Sequence, residues 1–194
     1  MGVNMKFFEE DLKLNGNNIY LRFINENDKE DLFNIIHNDK DILKYYLSVY
    51  KEDINDFKYD EYLKYYRDNE LYNFAIVLKE NDEVIGIIHQ VSGMGKYVKT
   101  VELGYALKKK YWNKGYMSES LKLMMGLMFE KGVHKISCGA IKENKASIEV
   151  MKKCGMLYEG TDIDDIYYHD QYWDTDYYYI LEDMFHVEHI KEND

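Results

Sequence analysis

Proline is absent from all 194 residues, and cysteine occurs only as Cys138 and Cys154. Two cysteines are too few for a disulfide framework or a cysteine-based zinc site, so free thiols in a reducing compartment are expected, with no metal. No apolar run approaches the ~18 residues a membrane span needs, and the opening MGVNMKFFEEDLK lacks the apolar stretch of a secretory signal. A cytoplasmic protein without a membrane partner is therefore expected. Positive charge is also scarce: 25 Lys+Arg stand against 36 Asp+Glu, a formal net charge of -11. Nucleic-acid affinity rests on a net basic surface, which argues against that partner and favours cationic small molecules or basic peptides. No repeat, low-complexity linker or Gly/Ser-rich stretch divides the chain.

What is present is a globular balance, 46% hydrophobic and 31% charged. A chain of this length buries a core without staples, so residues 1–194 are read as one domain with its core at about 18–184. Ile19, Leu21 and Phe23 alternate in a first strand, Ile19 to Ile24. Asn27 and Asp28 then offer caps for a helix carrying Leu32, Ile35 and Ile36. A second helix is placed near Asp53, with Tyr59, Tyr62, Leu63 and Tyr66 on one face. That stripe suits core packing, and the tyrosine tips could also wall a substrate cleft.

Asn73 to Leu78 and Val84 to Val91 form a hairpin by pattern, since only the short polar stretch Lys79 to Glu83 joins them. The glycine-rich SGMGK that follows, Ser92 to Lys96, fails as a P-loop because Gln90 and Tyr97 occupy its required Gly and Ser/Thr places. A strand from Val98 to Leu107 precedes a helix on which Met117, Leu121, Met124, Met125 and Met128 share a face, ending at Gly132. Lys135 to Ile141 is the next strand, and the intervening helix makes it a parallel neighbour through a right-handed crossover. A short helix from Asn144 to Lys153 follows. Met156 to Thr161 and Trp173 to Leu181 are read as the last strands, joined by an acidic, tyrosine-rich connection, DIDDIYYHDQY.

The chemistry concentrates in WNKGYMS. Gly115 permits a tight turn, and the helix that opens after it presents unpaired amides carrying partial positive charge, a fit for pyrophosphate. Lys108, Lys109, Lys110 and Lys114 crowd the same turn, either as anion contacts or as a solvated basic surface. The next helix starts with Asn144-Lys145-Ala146-Ser147, just after the parallel strand, so these side chains emerge at the same end of the sheet.

With ELGYAL, YWNKGYMSES, NKASIEVMKKCGM and YEGT…YHDQYWDTDYYYIL in this order between about Ile19 and Met184, the sequence resembles the GNAT superfamily of acetyl-CoA-dependent N-acetyltransferases. The likeness is to the branch containing the ribosomal-protein N-terminal (alanine/serine) acetyltransferases. It implies an α/β, or mixed α+β, sheet of about seven mostly antiparallel strands and about four helices, with the parallel fourth and fifth strands splayed around acetyl-CoA. It also implies that backbone from Trp112, Asn113, Lys114, Gly115, Tyr116, Met117 and Ser118 holds the pyrophosphate. Ala106 and Leu107 would pair with the pantetheine arm as an added strand, and Asn144 would bond the same arm. The family's generic turn has Gln or Arg where Trp112 stands and Gly or Ala where Met117 stands; tryptophan is usual in this branch, while Met117 could narrow the phosphate approach.

Many members carry a tyrosine acid in the last helix, a place held by Met151, which cannot donate a proton. The resemblance offers Ser147 as the group that bonds the departing thiolate; a local backbone bond is its plain alternative. Glu102 is the candidate base, directly or through water, against a structural ion pair. Positioning alone could suffice for a protein N-terminus, whose pKa is about 8. Glu119 is read as a first-turn carboxylate, Cys138 as buried, and Asp162, Asp164, Asp165, His169 and Asp170 as lacking a recognised metal spacing. Asp174 is read as recognising substrate or holding the final hairpin. The expected activity is acetyl transfer from acetyl-CoA to a primary amine by direct attack in a ternary complex. The acceptor is a protein N-terminus or a small polyamine or aminoglycoside, the remaining alternative being a CoA-binding module without turnover. A monomer or a homodimer is compatible with the sequence.

Overall fold

The computed structural model describes residues 12–92 and 97–185. Its strands are β1 (Lys13–Asn15), β2 (Ile19–Phe23), β3 (Asn73–Leu78), β4 (Val84–Gln90), β5 (Thr100–Leu107), β6 (Lys135–Ile141), β7 (Leu157–Tyr168) and β8 (Gln171–Leu181). Four α-helices accompany them among the described residues: α1 (Lys29–Ile36), α2 (Tyr59–Asp68), α3 (Tyr116–Glu130) and α4 (Lys145–Lys153). One mixed sheet results, in the order β1-β2-β3-β4-β5-β6-β8-β7. Every neighbouring pair is antiparallel except β5 and β6.

The mixed sheet expected from the sequence is present, with eight strands in place of seven. The added strand, β1, is three residues long, too short to show an alternation, and its register on β2 comes from a turn in which the Gly16 N–H donates to Ile19 O at 2.9 Å. Helix α2 starts at Tyr59, not near Asp53, because the Asp53 carboxylate caps a separate 3-10 turn, Ile54–Asp56. Asn27 and Asp28 likewise belong to a 3-10 turn capped by Asn25; Asp28 is buried and accepts two 2.7 Å bonds from Arg22. β5 begins at Thr100, two residues after the expected Val98. Gly93 to Lys96 of SGMGK lie outside the described residues.

The largest correction concerns DIDDIYYHDQY. It is strand, not connection: β7 continues to Tyr168, and the turn shrinks to His169 and Asp170, with φ of 53° and 58°. Most β7 residues are exposed, so no buried face imposes the alternation by which a strand is recognised. A register shift between Asp162 and Ile166 blurs the pattern further.

Two cores sandwich the sheet. On one face α3 buries Leu121, Met124 and Met125 completely against Leu103, Leu107 and Ile136. Each such side chain contributes about 2 kcal/mol when fully buried. On the other, α1 presents Leu32, Phe33, Ile35 and Ile36 to Ala75, Val77, Ile87 and Ala106, joined by Phe57, Tyr59 and Tyr62.

Between the cores the sheet divides. β5 and β6 pair only from Thr100 to Glu102 against Lys135 to Ser137. Beyond Glu102, β5 stays with β4 as far as Leu107, and β6 stays with β8 as far as Ile141. Glu102 O accepts from Val91 N and Lys108 N donates to Ile85 O, each at 2.8 Å, so even-numbered β5 residues turn their backbone to β4. Strand alternation then directs the backbone of Leu103, Tyr105 and Leu107 into the gap.

Candidate active site

The turn between β5 and α3 is held open by its backbone. Asn113 and Gly115 have φ of 58° and 85°, and Gly115 is the residue before the helix. No side chain caps α3, and the first intrahelical bond is Glu119 N to Gly115 O at 3.0 Å. The N–H groups of Tyr116, Met117 and Ser118 therefore lack helical acceptors and form the positive end of the helix. A side chain built on Gly115 would meet nothing within 4 Å, so the space over these amides is open. Such a cradle fits a phosphate, and the residues present suit the diphosphate of a CoA substrate. Met117 does not narrow it, because its side chain is 7% exposed in the α3 core.

The basic cluster divides. Lys108 pairs with Asp31 at 2.8 Å and Glu83 at 3.4 Å, Lys109 with Asp41 at 2.8 Å, and Lys110 with Glu83 at 2.7 Å. These three brace the turn against α1, the segment that follows α1 and the β3–β4 hairpin. Lys114 makes no ion pair among the described residues and lies 5.3 Å from the Tyr111 ring centroid. The Trp112 indole N–H donates to Leu107 O at 2.6 Å, tying the turn to the end of β5 and occupying one carbonyl on the gap side. Of the two strand residues expected to meet the pantetheine arm, Leu107 faces the gap and Ala106 faces β4.

Across the gap, Asn144 Oδ1 accepts from Ser147 N at 3.3 Å, an N-cap that leaves the Asn144 amide nitrogen as its remaining donor. Ser147 Oγ lies 2.8 Å from the hydroxyl of Tyr105 on β5. Met151, one turn on, is wholly buried and belongs to the core. Sequence reasoning missed Tyr105; the alternation of ELGYAL, with Leu103 and Leu107 on the core face, was the available signal.

The opposite side of β5 has another character. Glu102, Gly104 and Ala106 share the face covered by α1 and α2. Burial, and then the nearby Asp165 of β7, raise the Glu102 carboxyl above its ordinary range. Tyr177 of β8 donates to Asp165 at 3.3 Å, and its phenol is pushed up to about 12 by burial and by Asp165, Glu102 and Asp162. These carboxylates make a negative patch beside the gap. Next to it His89 is buried, and burial lowers its imidazole to about 4, so the ring is neutral. Tyr46 and Tyr66 meet the ring edge-on at 6.4 and 5.9 Å. A Cβ on Gly104 would come within 2.8 Å of His89 Nε2, so only glycine lets this imidazole lie across β5.

The β7–β8 hairpin closes over this face. The Tyr168 hydroxyl lies 2.7, 3.1 and 2.9 Å from the carbonyls of Leu43, Tyr46 and Ser48, and His169 Nε2 lies 3.1 Å from Leu43 O. His169 is thus a docking residue. Asp174 holds the hairpin, accepting from Asp164 N at 3.2 Å and pairing with Lys142 at 3.2 Å. Glu119 accepts from Asn18 N at 2.8 Å, joining α3 to the β1–β2 turn. Cys138 and Cys154 are buried free thiols; burial raises both, Cys154 to about 11. Among the described residues no group of three or more His, Cys, Asp or Glu is placed to hold a metal, and no helix is long and apolar enough to cross a membrane.

A split parallel pair facing an uncapped helix N-terminus is the arrangement that the resemblance to acetyl-CoA-dependent N-acetyltransferases implies. The model of the acetyltransferase (GNAT) domain matches residues 18–157, and the chain belongs to this family of acetyl-CoA-dependent N-acetyltransferases. It is similar to the uncharacterized N-acetyltransferase YnaD of Bacillus subtilis (strain 168), 36% identical over 111 residues. That match covers 57% of this chain and 64% of the relative. Among solved structures, the ribosomal-protein-S5-alanine acetyltransferase of Vibrio fischeri superposes with a TM-score of 0.76 at 18% identity, covering 89% of this chain and 98% of that one. The spermidine N-acetyltransferase of Vibrio cholerae, in complex with CoA and spermine, gives 0.76 at 20% identity, covering 86% and 97%.

Proposed function

We propose that this enzyme acetylates a primary amine on a small, multiply charged cation, by direct attack on acetyl-CoA in a ternary complex. The observation that carries the reading is the division of β5 from β6 opposite the open amides of α3, with Glu102 and Asp165 on the acceptor side. In this reading the amides of 113–118 hold the pyrophosphate, Lys114 supplements them, and the β5 edge at Tyr105 and Leu107 pairs with the pantetheine arm. Asn144 donates to the same arm. Residues 18–184 act as one catalytic domain, and the buried thiols support the cytoplasm as its compartment.

Acetyl transfer requires an uncharged amine. Glu102, directly or through water, takes the ammonium proton, and its raised carboxyl suits that task better than an ordinary glutamate. The amine nitrogen bonds to the thioester carbon while a β5 N–H faces the charge that gathers on the carbonyl oxygen; the nitrogen then gives its second proton to water as the carbon–sulfur bond breaks and CoA leaves as the thiolate. Ser147 Oγ–H then bonds the departing thiolate. The carboxylates around Tyr177 favour an acceptor carrying a second cation, and the docked hairpin favours a compact one.

Thiol release from acetyl-CoA, measured with spermine, an aminoglycoside and a basic peptide, tests the reading. Turnover with spermine or the aminoglycoside and little with the peptide is expected. Preference for the peptide would reassign the acceptor to a protein N-terminus. CoA binding without release from any amine would leave a binding module.

A further inference from the structure

Helix-start serines ordinarily bond their own backbone. Ser147 does not: its N–H is taken by Asn144 Oδ1, and its hydroxyl faces Tyr105, a residue 42 positions earlier on the other wall of the gap. The Tyr105 oxygen lies 2.8 Å from Ser147 Oγ and 3.2 Å from Ser147 O. A phenol has one proton to give, and both candidate acceptors belong to the same serine. The contact is also rigid, because Tyr105 packs against the α3 core and Ser147 sits in the capped first turn of α4.

We propose that Tyr105 is a positioning residue for the acetyl transfer: its O–H donates to Ser147 and turns the seryl proton into the gap, toward the sulfur that leaves. The inference rests on the reading of Ser147 given above. No proton leaves Tyr105. Burial, followed by the nearby Cys138, raises its phenol well above the ordinary value, so donation to a thiolate would be uphill. The two groups divide the work left undone by Met151: one hydroxyl meets the sulfur, and the other fixes its direction. A serine hydroxyl left free would sample three rotamers, of which one serves.

Calorimetric titration with CoA and with acetyl-CoA between pH 6.5 and 9.5 tests this without reference to the acceptor. Wild type, Tyr105→Phe, Ser147→Ala and the double variant are compared. CoA binding by the wild type is expected to tighten as its thiol ionises, since the thiolate accepts from Ser147. A hydrogen bond to a charged partner is worth about tenfold in affinity. Each single variant should lose most of that pH-dependent gain, the double variant no more than either, and acetyl-CoA binding should stay within about twofold throughout. Tyr105→Phe retaining the wild-type gain while Ser147→Ala loses it overturns the proposal and spares the role of Ser147. Retention by Ser147→Ala overturns both. Parallel loss of acetyl-CoA affinity in Tyr105→Phe would mark a packing residue and also overturn it.

Discussion

The Tyr111 hydroxyl donates to the Glu83 carboxylate at 2.5 Å, which fastens the turn before α3 to the β3–β4 hairpin. Lys108 and Lys110 converge on the same carboxylate at 3.4 and 2.7 Å, so the group that orients this turn is electrostatic.

Glu83 should therefore give stability a pH dependence. Lys110 and Tyr111 lower its carboxyl from 4.5 to about 2. The folded form binds its proton less readily than the unfolded chain, so the stabilisation is complete above 4.5 and is lost as pH falls toward 2. Glu83→Gln should cost on the order of 1 kcal/mol at pH 7 and nothing near pH 2. Denaturant melts at several pH values measure it, and a pH-independent difference would contradict the assignment.

Gly115→Val should damage substrate binding more than folding. Its φ of 85° costs a branched residue about 1–2 kcal/mol, and the added side chain enters the open space over the α3 amides. A roughly tenfold or greater rise in the acetyl-CoA KM is expected. An unchanged KM in a folded variant would move the phosphate site elsewhere.

Glu102→Gln should lower turnover and raise stability. Burial and Asp165 raise the folded carboxyl above its unfolded value, so the native state binds that proton more readily, and ionised Glu102 destabilises the fold at neutral pH. The variant's higher Tm at pH 7 should shrink as pH falls through the folded pKa. Its kcat should drop about tenfold or more, with acetyl-CoA affinity intact. Wild-type kcat at every pH would remove Glu102 from the mechanism.

Tyr168→Phe should act on the acceptor alone. The lost hydroxyl leaves three carbonyls of the 43–48 segment without their shared donor, a loosening worth about 1 kcal/mol. The acceptor KM should rise several-fold while the acetyl-CoA KM holds, as two-substrate kinetics would show. Equal effects on both would mean the hairpin does not bound the acceptor site.

Elements with one buried face were legible in the sequence. The methionine and leucine spacing of α3 and the alternation of β2 announced themselves because the core dictates which positions are apolar. β7 stayed hidden because its residues are mostly exposed, and β1 because three residues cannot show a period. The site divided along the same line. Gly115, Asn144 and Ser147 sit in local motifs whose spacing is chemical, whereas Tyr105, Asp165 and His89 acquire meaning only through partners distant along the chain.

The sequence alone pointed to the family and to a tight turn that opens a helix, since a glycine in the left-handed region followed by a helix is a local backbone event. Tertiary structure decided the rest. It sent Lys108, Lys109 and Lys110 to carboxylates and away from the cradle, packed Met117 in the core, and set Tyr105 against Ser147. Ion pairs and cross-gap hydrogen bonds depend on where a split sheet places side chains from separate segments, and that placement has no local signature.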